Sequence, residues 1–326
     1  MPIIRNCVIT GGSGFVGTHL IDYILTHNVH DKIYVLDLVA PWVKHERVLY
    51  QFCDVRQPIN CQVDNCAVIY NLAALCKEPG YPYPAYFDTN HTGSITVCDF
   101  AARNGISTII FTSTMMVFSA GEEAMTEASA TYPDTAYGIS KLLGEKAHEA
   151  WLAGDPTRVL KIVRPAVVFG KYESGNYTRL YQVLRRGLFV YMGRKTTVKA
   201  GLYVKDLVHF LVWCYRNSAR YGLYNLAFPE TLTIQHICET ICKVMNFRKP
   251  FLVAPFRLAL VTSYPFEVLN ELGVLRSGIH HRRIEKLYHS TNIVPQNALQ
   301  AGFQFQYTLE TALRDWLADC EGVGLC

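Results

Sequence analysis

Short apolar runs alternate with longer segments whose apolar residues recur at helical spacing, and this rhythm predicts the fold class. The runs Asn6–Thr10, Lys32–Leu36, Val48–Cys53, Ala67–Asn71, Thr108–Thr112 and Leu160–Arg164 predict strands. Helical patterns lie between them near Gly17–Thr26, Tyr86–Asn104 and Ala136–Ala153. Strand–helix alternation of this kind builds a parallel sheet covered on both faces, and right-handed crossovers make it doubly wound. After Gly170 the rhythm changes. Leu202–Tyr215 predicts a helix and Gly222–Leu226 a further strand, followed by helices near Ile234–Met245, Phe256–Leu275 and Leu309–Asp319. No internal repeat or low-complexity linker separates the halves. The expected organisation is an α/β chain: residues 1–170 form the sheet domain, to which 200–226 return, while 171–199 and 227–326 form a smaller mixed α/β substrate lobe.

The first strand leads into Gly11-Gly12-Ser13-Gly14-Phe15-Val16-Gly17, a glycine-rich turn opening a helix. Glycine permits the tight turn and lets backbone N–H groups approach a pyrophosphate at the positive helix end. Asp37 ends the next strand, twenty residues after Gly17. A carboxylate there accepts both ribose hydroxyls of an adenosine and repels the extra phosphate of NADP, so the reading is a Rossmann-like domain that prefers NAD. Far downstream, Tyr137-Gly138-Ile139-Ser140-Lys141 sets a phenol and an ammonium one helical turn apart. Glycine turn and phenol–ammonium pair together point to nicotinamide redox chemistry. Either alone is a weak signal.

Further landmarks extend the pattern. Asp54-Val55 follows the third strand, where a carboxylate would meet the adenine amino group, and Asn71-Leu72-Ala73-Ala74 ends the fourth with small residues. Asn90 lies in a helix-like stretch, where a cofactor contact and a purely structural role stand equal. With Phe111-Thr112-Ser113-Thr114, Val163-Arg164-Pro165 and Val168-Phe169-Gly170, the chain resembles the extended short-chain dehydrogenase/reductases. That group includes nucleotide-sugar epimerases, dehydratases and reductases. The resemblance covers the first 170 residues well, then recurs at Val204-Lys205-Asp206, Gly302-Phe303 and Thr308-Leu309-Glu310. It implies cofactor contacts from Gly11, Gly14, Phe15, Val16, Asp37, Asp54 and Val55. Further contacts follow from Leu72, Ala73, Ala74, Asn90, Thr112, Pro165 and Val168. It makes Tyr137 the general acid/base and Lys141 the residue that binds the nicotinamide ribose and holds its charge beside the phenol, lowering the phenol's pKa from ~10. By register, Thr114 takes the position of the catalytic hydroxyl.

Departures from the family pattern narrow the chemistry. Dehydratases of the group carry an acidic pair after this threonine, and the decarboxylases a Glu, whereas this chain has Met115-Met116. Thioethers do not titrate, so dehydration is disfavoured. The methionines serve either packing or an adaptable wall against the sugar. Val167 stands where many epimerases have Asn, which raises the share of simple reductases, including those acting on hydrophobic alcohols such as hydroxysteroids. Asn176 resembles an element near the substrate diphosphate, and Arg282 is the first choice among several arginines for a bidentate clamp on it. The leading expectation is a NAD-dependent epimerase acting at C4 of a UDP-hexose or UDP-N-acetylhexosamine through a transient ketone. Net reduction or oxidation of a keto-sugar is the alternative, and a redox sensor or scaffold is the non-enzyme reading. An intact Thr114, Tyr137 and Lys141 favours the enzyme.

Composition adds limits. The 326 residues are 50% hydrophobic and 18% charged, ordinary for a packed enzyme and unlike a disordered chain. A net charge of +4 does not argue for nucleic acid, and the basic His280-His281-Arg282-Arg283 cluster is too short to change that. The eleven cysteines lack paired metal spacing, no metal site is expected, and no leader precedes the glycine turn, so a reducing cytoplasm is the simplest setting. The longest apolar stretch, 251–275, is broken by Pro255, Arg257, Pro265 and Glu267. A surface-lying helix there stays open beside ordinary core packing. A homodimer through the Ala136–Ala153 helix is expected, with Leu142, Leu143 and Trp151 available either for it or for the core.

Overall fold

The computed structural model describes residues 5–78, 80–257, 260–261, 285 and 287–325. Strand β1 (Asn6–Thr10) feeds α1 (Phe15–Thr26), then β2 (Ile33–Asp37), β3 (Val48–Phe52) and β4 (Cys66–Asn71). Helix α2 (Tyr83–Phe87) continues through a wide π-type turn at Asp88–Thr92 into α3 (Gly93–Arg103), followed by β5 (Thr108–Thr112). Next come β6 (Gly121–Met125), α4 (Ala136–Ala153), β7 (Val159–Pro165), β8 (Val167–Phe169), α5 (Asn176–Arg185), β9 (Tyr191–Met192) and β10 (Gly201–Tyr203). The chain proceeds through α6 (Val204–Arg216), β11 (Tyr221–Leu226), α7 (Ile234–Met245), β12 (Val253–Ala254), β13 (Thr291–Ile293), α8 (Gln296–Gln300) and α9 (Leu309–Asp319).

Seven strands form one parallel sheet in the order β3-β2-β1-β4-β5-β7-β11. The strand order reverses between β1 and β4, the switch point at which such sheets bind ligands beyond their strand ends. Alternate strand residues serve two cores. Cys7, Ile9, Ile33, Val35, Val68, Tyr70, Ile110 and Val163 face α1 and α6, packing on Leu20, Ile21, Ile24, Leu207, Phe210 and Leu211. Val8, Tyr34, Leu36, Ile69, Ile109, Phe111, Leu160 and Ile162 face α3 and α4, packing on Val97, Phe100, Ala101, Trp151 and Leu152. Both faces are covered, which is why these strands read as unbroken apolar runs.

The third core belongs to the second half of the chain. Phe169, Tyr177, Tyr181, Tyr203, Phe228, Ile237, Ile241, Leu313 and Trp316 pack together between α5, α7 and α9. β11 pairs with β7 on the large sheet, while β6 pairs with β13 and so ties residues 121–125 to the later chain.

Two expectations about elements need correction. The helix expected over Leu202–Tyr215 starts at Val204, because Gly201–Tyr203 pairs with Val167–Phe169 as a strand. The single helix expected over Tyr86–Asn104 is interrupted by the π-type turn, whose extra residue per turn directs buried Asn90 inward. Trp151 lies in the core of the monomer, leaving exposed Leu143 on that helix and Ile95 on α3 as surface candidates for a dimer contact. The helix expected over Phe256–Leu275 falls mostly outside the described residues.

Nine cysteines among the described residues carry free thiols. Among the described residues no helix is long and apolar enough to cross a membrane.

Helix α4 is held close to the sheet by two glycines. A Cβ on Gly138 would stand 2.2 Å from the Met116 carbonyl oxygen, and one on Gly144 would stand 2.9 Å from the Asn90 carbonyl oxygen. Gly138→Ala should therefore destabilise the fold by about 1–3 kcal/mol, more than the helix propensity it gains. Thermal unfolding checks this: the variant melts several degrees below the parent, whereas an unchanged or higher midpoint would show that the Met116 loop moves away at no cost.

Candidate active site

The strand ends of β1, β2 and β4 form a cradle. Gly11 has φ +70°, and a Cβ there would lie 2.7 Å from the Ala73 backbone. A Cβ at Gly17 would lie 2.4 Å from the Gly12 carbonyl oxygen, so the turn and α1 are stacked without room for side chains. Helix α1 starts at Phe15 with Gly14 as its cap and has no side-chain cap and no acidic residue in its first turn. Its N–H groups therefore remain available to an anion. Val16 packs partly buried against the α1-side core, while Phe15 leans on the core of the second lobe.

Asp37 is fixed beside this turn. Its carboxylate accepts the Ser13 N–H at 2.9 Å and, more weakly, the Val39 N–H at 3.4 Å. A dinucleotide with its pyrophosphate on α1 brings a ribose diol to this carboxylate. Glycine cradle, uncapped helix start and carboxylate together fit NAD. Asp54 is engaged otherwise: Arg56 clasps both its oxygens at 2.6–3.1 Å and holds the carboxyl below the usual range. Val55 is buried beneath Gly93. The Leu72 and Ala73 backbone lies directly against Gly11, and Ala74 follows it.

Asn90 does structural duty. Its carbonyl accepts the Leu75 N–H at 2.9 Å, and its amide donates to the Leu75 carbonyl at 3.1 Å and to Ser140 Oγ at 2.9 Å. It thereby joins the loop after β4 to α4. Thr112 ends β5, and its buried hydroxyl has no hydrogen-bond partner among the described residues. Pro165 closes β7 in the core, and Val168 is half-buried in β8.

Thr114, Tyr137 and Lys141 come together where β5 ends beneath α4. Thr114 is buried, accepts the Met116 N–H at 3.1 Å, and bonds the Tyr137 phenol through its side chain. The Met116 bond fixes the position of this hydroxyl beside the phenol. Helix α4 begins at Ala136, where Thr135 caps the Gly138 N–H at 3.1 Å and the Glu78 carboxylate accepts the Tyr137 N–H at 2.8 Å. Lys141 is buried with its ammonium 4.1 Å from the centre of the Phe111 ring.

Burial dominates the electrostatics of the pair. It pushes the Tyr137 phenol above its ordinary value, opposed by the Thr114 bond. Burial also pulls the Lys141 ammonium down to about 7, opposed chiefly by the Glu145 carboxylate one turn along the helix. Desolvation acts on both groups, and the cation is directed to Phe111.

Beneath the trio lie groups whose roles the sequence did not reveal. Ser113 donates to Glu145, and Arg164 grips both oxygens of Glu145 at 2.8 and 2.6 Å, all buried. Thr10 donates to Asn71 at 2.7 Å, Asn71 reaches His148 at 3.2 Å, and His148 donates to the Gly144 carbonyl at 2.7 Å. Burial and the Lys141 charge hold His148 down to about 4, so it is neutral. The signal for Glu145 was its place four residues after Lys141 on one helical face. Arg164 was visible only as part of a motif.

Residues 7–227 match the NAD dependent epimerase/dehydratase family. The chain belongs to this family. It is thus a NAD-dependent enzyme. The chain is 28% identical over 313 residues to the N-acetyl-alpha-D-glucosaminyl-diphospho-ditrans,octacis-undecaprenol 4-epimerase of Escherichia coli O157:H7, covering 94% of this chain and 93% of that protein. It is 26% identical over 228 residues to the UDP-glucose 4-epimerase of Vibrio cholerae, covering 64% of this chain and 66% of that one. The UDP-N-acetylglucosamine 4-epimerase of Bacillus cereus shares the fold, with a TM-score of 0.75 at 20% identity over 98% of this chain and 97% of that chain.

On the substrate side of this epimerase/dehydratase fold, Met115 is buried in the core beside Val117 and Phe118, so packing accounts for most of its surface. Asn176 is exposed at the first turn of α5. Glu173 already caps that helix, accepting the Thr178 N–H at 3.0 Å and its hydroxyl at 2.6 Å. A substrate contact there would use the Asn176 side chain and not the helix end. Arg185 and Arg186 sit at the opposite end of α5, about 15 Å away by helix rise, too far to share a phosphate with Asn176. Arg282 lies outside the described residues.

The buried lysine makes stability depend on pH. An unfolded lysine titrates near ~10.4, so between about pH 7 and that value the unfolded chain binds the extra proton and stability rises with pH. Below about pH 7 the full desolvation cost stands. Lys141→Met should raise the melting temperature most at about pH 6, with a gain that shrinks towards about pH 10. A gain equal at both pH values would show that this ammonium is not held near neutrality.

Proposed function

We propose that this enzyme interconverts C4 epimers of a diphosphate-linked hexose, with a UDP-hexose or UDP-N-acetylhexosamine as the first substrate class. One observation carries the reading: a hydroxyl–phenol–ammonium trio, its Thr114 and Lys141 buried, in which Met115 and Met116 stand in place of titratable groups. Such a site is equipped to move a proton on and off a secondary alcohol. It offers no acidic pair beside Thr114 to expel a hydroxyl.

NAD, when bound, supplies the acceptor and donor of hydride at the sugar carbon. The Tyr137 phenolate removes the hydroxyl proton as the alcohol is oxidised and returns it on reduction. Thr114 orients the substrate oxygen through its hydroxyl. Lys141 provides the positive charge, and Glu145 favours its protonated form. The exposed apolar residues Ile95 and Leu143 on α3 and α4 support a homodimer through these helices.

A polyprenyl diphosphate as the sugar carrier is a second reading. It is favoured by the relative that matches 94% of the chain, against 64% for the UDP-glucose enzyme.

Proton NMR of the enzyme with UDP-hexoses, UDP-N-acetylhexosamines and the polyprenyl diphosphate sugar, without added cofactor, tests these readings. A new anomeric signal of the 4-epimer in one of them is expected. Conversion only when cofactor is supplied in substrate amounts would replace epimerisation by net oxidation or reduction. Tyr137→Phe should lower turnover about a hundredfold or more while NAD stays bound. Full retained turnover would remove Tyr137 from the mechanism.

A further inference from the structure

The far end of α5 carries an apolar and basic surface that the catalytic site does not use. The helix ends at Arg185, and Gly187 at φ +68° turns the chain so that the Leu188 N–H bonds the Val183 carbonyl at 3.1 Å. Leu188 is left 69% exposed. The following strand β9 pairs in parallel with β12, and the Tyr191 N–H bonds the Leu252 carbonyl at 3.0 Å. Parallel pairing brings the two lead-in segments, residues 188–190 and 250–252, side by side. Phe251 is 75% exposed there, and Leu252 and Val253 are exposed beside it.

Cations surround these side chains. Arg185, Arg186, Arg248, Lys249 and Arg257 are all exposed, and the only ion pair shown for Lys249 is to Glu239 at 3.0 Å. Neither residues 176–195 nor residues 243–261 contain a single Asp or Glu. The whole chain has nearly balanced charge, so this concentration of one sign is local.

We propose that this face docks onto an anionic lipid bilayer, with Leu188, Phe251 and Leu252 entering the headgroup boundary and the arginines meeting lipid phosphates. Charge decides the occupant. Protein interfaces deplete charged residues at their centre, whereas an apolar tip flanked by Arg and Lys, its neighbouring Glu239 already paired with Lys249, complements an anionic membrane surface. Docking does not depend on which carrier bears the sugar, although α5 would place Asn176 only about 15 Å from the surface.

The test is flotation of the full-length protein with vesicles of phosphatidylcholine alone and of equimolar phosphatidylcholine and phosphatidylglycerol. Binding to the anionic vesicles, weakened by salt, is expected. Each of Arg185→Gln and Arg186→Gln should weaken it roughly fivefold. Leu188→Ser with Phe251→Ser should weaken it roughly tenfold or more. Melting temperatures should be unchanged, since these side chains are exposed. Equal binding to neutral vesicles, or anionic binding that the variants leave intact, would overturn the proposal. So would failure to float combined with a dimer that Leu188→Ser and Phe251→Ser dissociate, which would make the face a contact between copies. Vesicles without substrate report on docking alone, so this outcome and that of the epimerisation assay are separate.

Discussion

Everything at the site depends on how closely α4 approaches the ends of the sheet. Gly138 and Gly144 have no Cβ to strike the Met116 and Asn90 carbonyls, and that absence lets the helix bearing Tyr137 and Lys141 settle onto β5. Polar bonds then lock the position: Asn90 to Ser140, Asn71 to His148, and Ser113 to Glu145 to Arg164. A shift of α4 would break several buried bonds at once, each costing roughly 1–3 kcal/mol when left unmade. The trio is therefore held by structure that makes no contact with the reacting atoms.

The same burial works against the charges it positions. Phenol and ammonium both lose water, and both are displaced towards their neutral forms. Glu145 is the counterweight, a buried carboxylate doubly gripped by Arg164 and set one turn from Lys141. Buried ion pairs rarely add net stability, and this one is better understood as keeping a lysine usable in an apolar setting. Stability is given up at the site for chemistry.

Two helix starts show how the halves divide their tasks. Helix α1 begins with no side-chain cap and no acidic residue, so its N–H groups are open to a cofactor phosphate. Helix α5 begins under the Glu173 carboxylate, so its start is already satisfied from within the chain. The opposite end of α5 instead gathers arginines and exposed leucine and phenylalanine, away from the cleft.

The sequence by itself determined the doubly wound sheet and its glycine turn, and put forward Asp37 and the trio as candidates, because each rests on local rules. Strands buried on both faces read as apolar runs, a tight turn at φ +70° demands glycine, and a phenol and ammonium four residues apart share a helix face. Short pairings between distant segments were not legible. Gly201–Tyr203 became a strand only because Val167–Phe169 lay beside it, and β9 with β12 formed the lead-in that exposes Phe251. Asn90 was an even choice in the sequence, and its three bracing bonds are visible only in the structure. The direction of the Tyr137 and Lys141 shifts likewise belonged to the tertiary structure. Spacing along a helix says which charges are neighbours, but only packing says how much water each has lost.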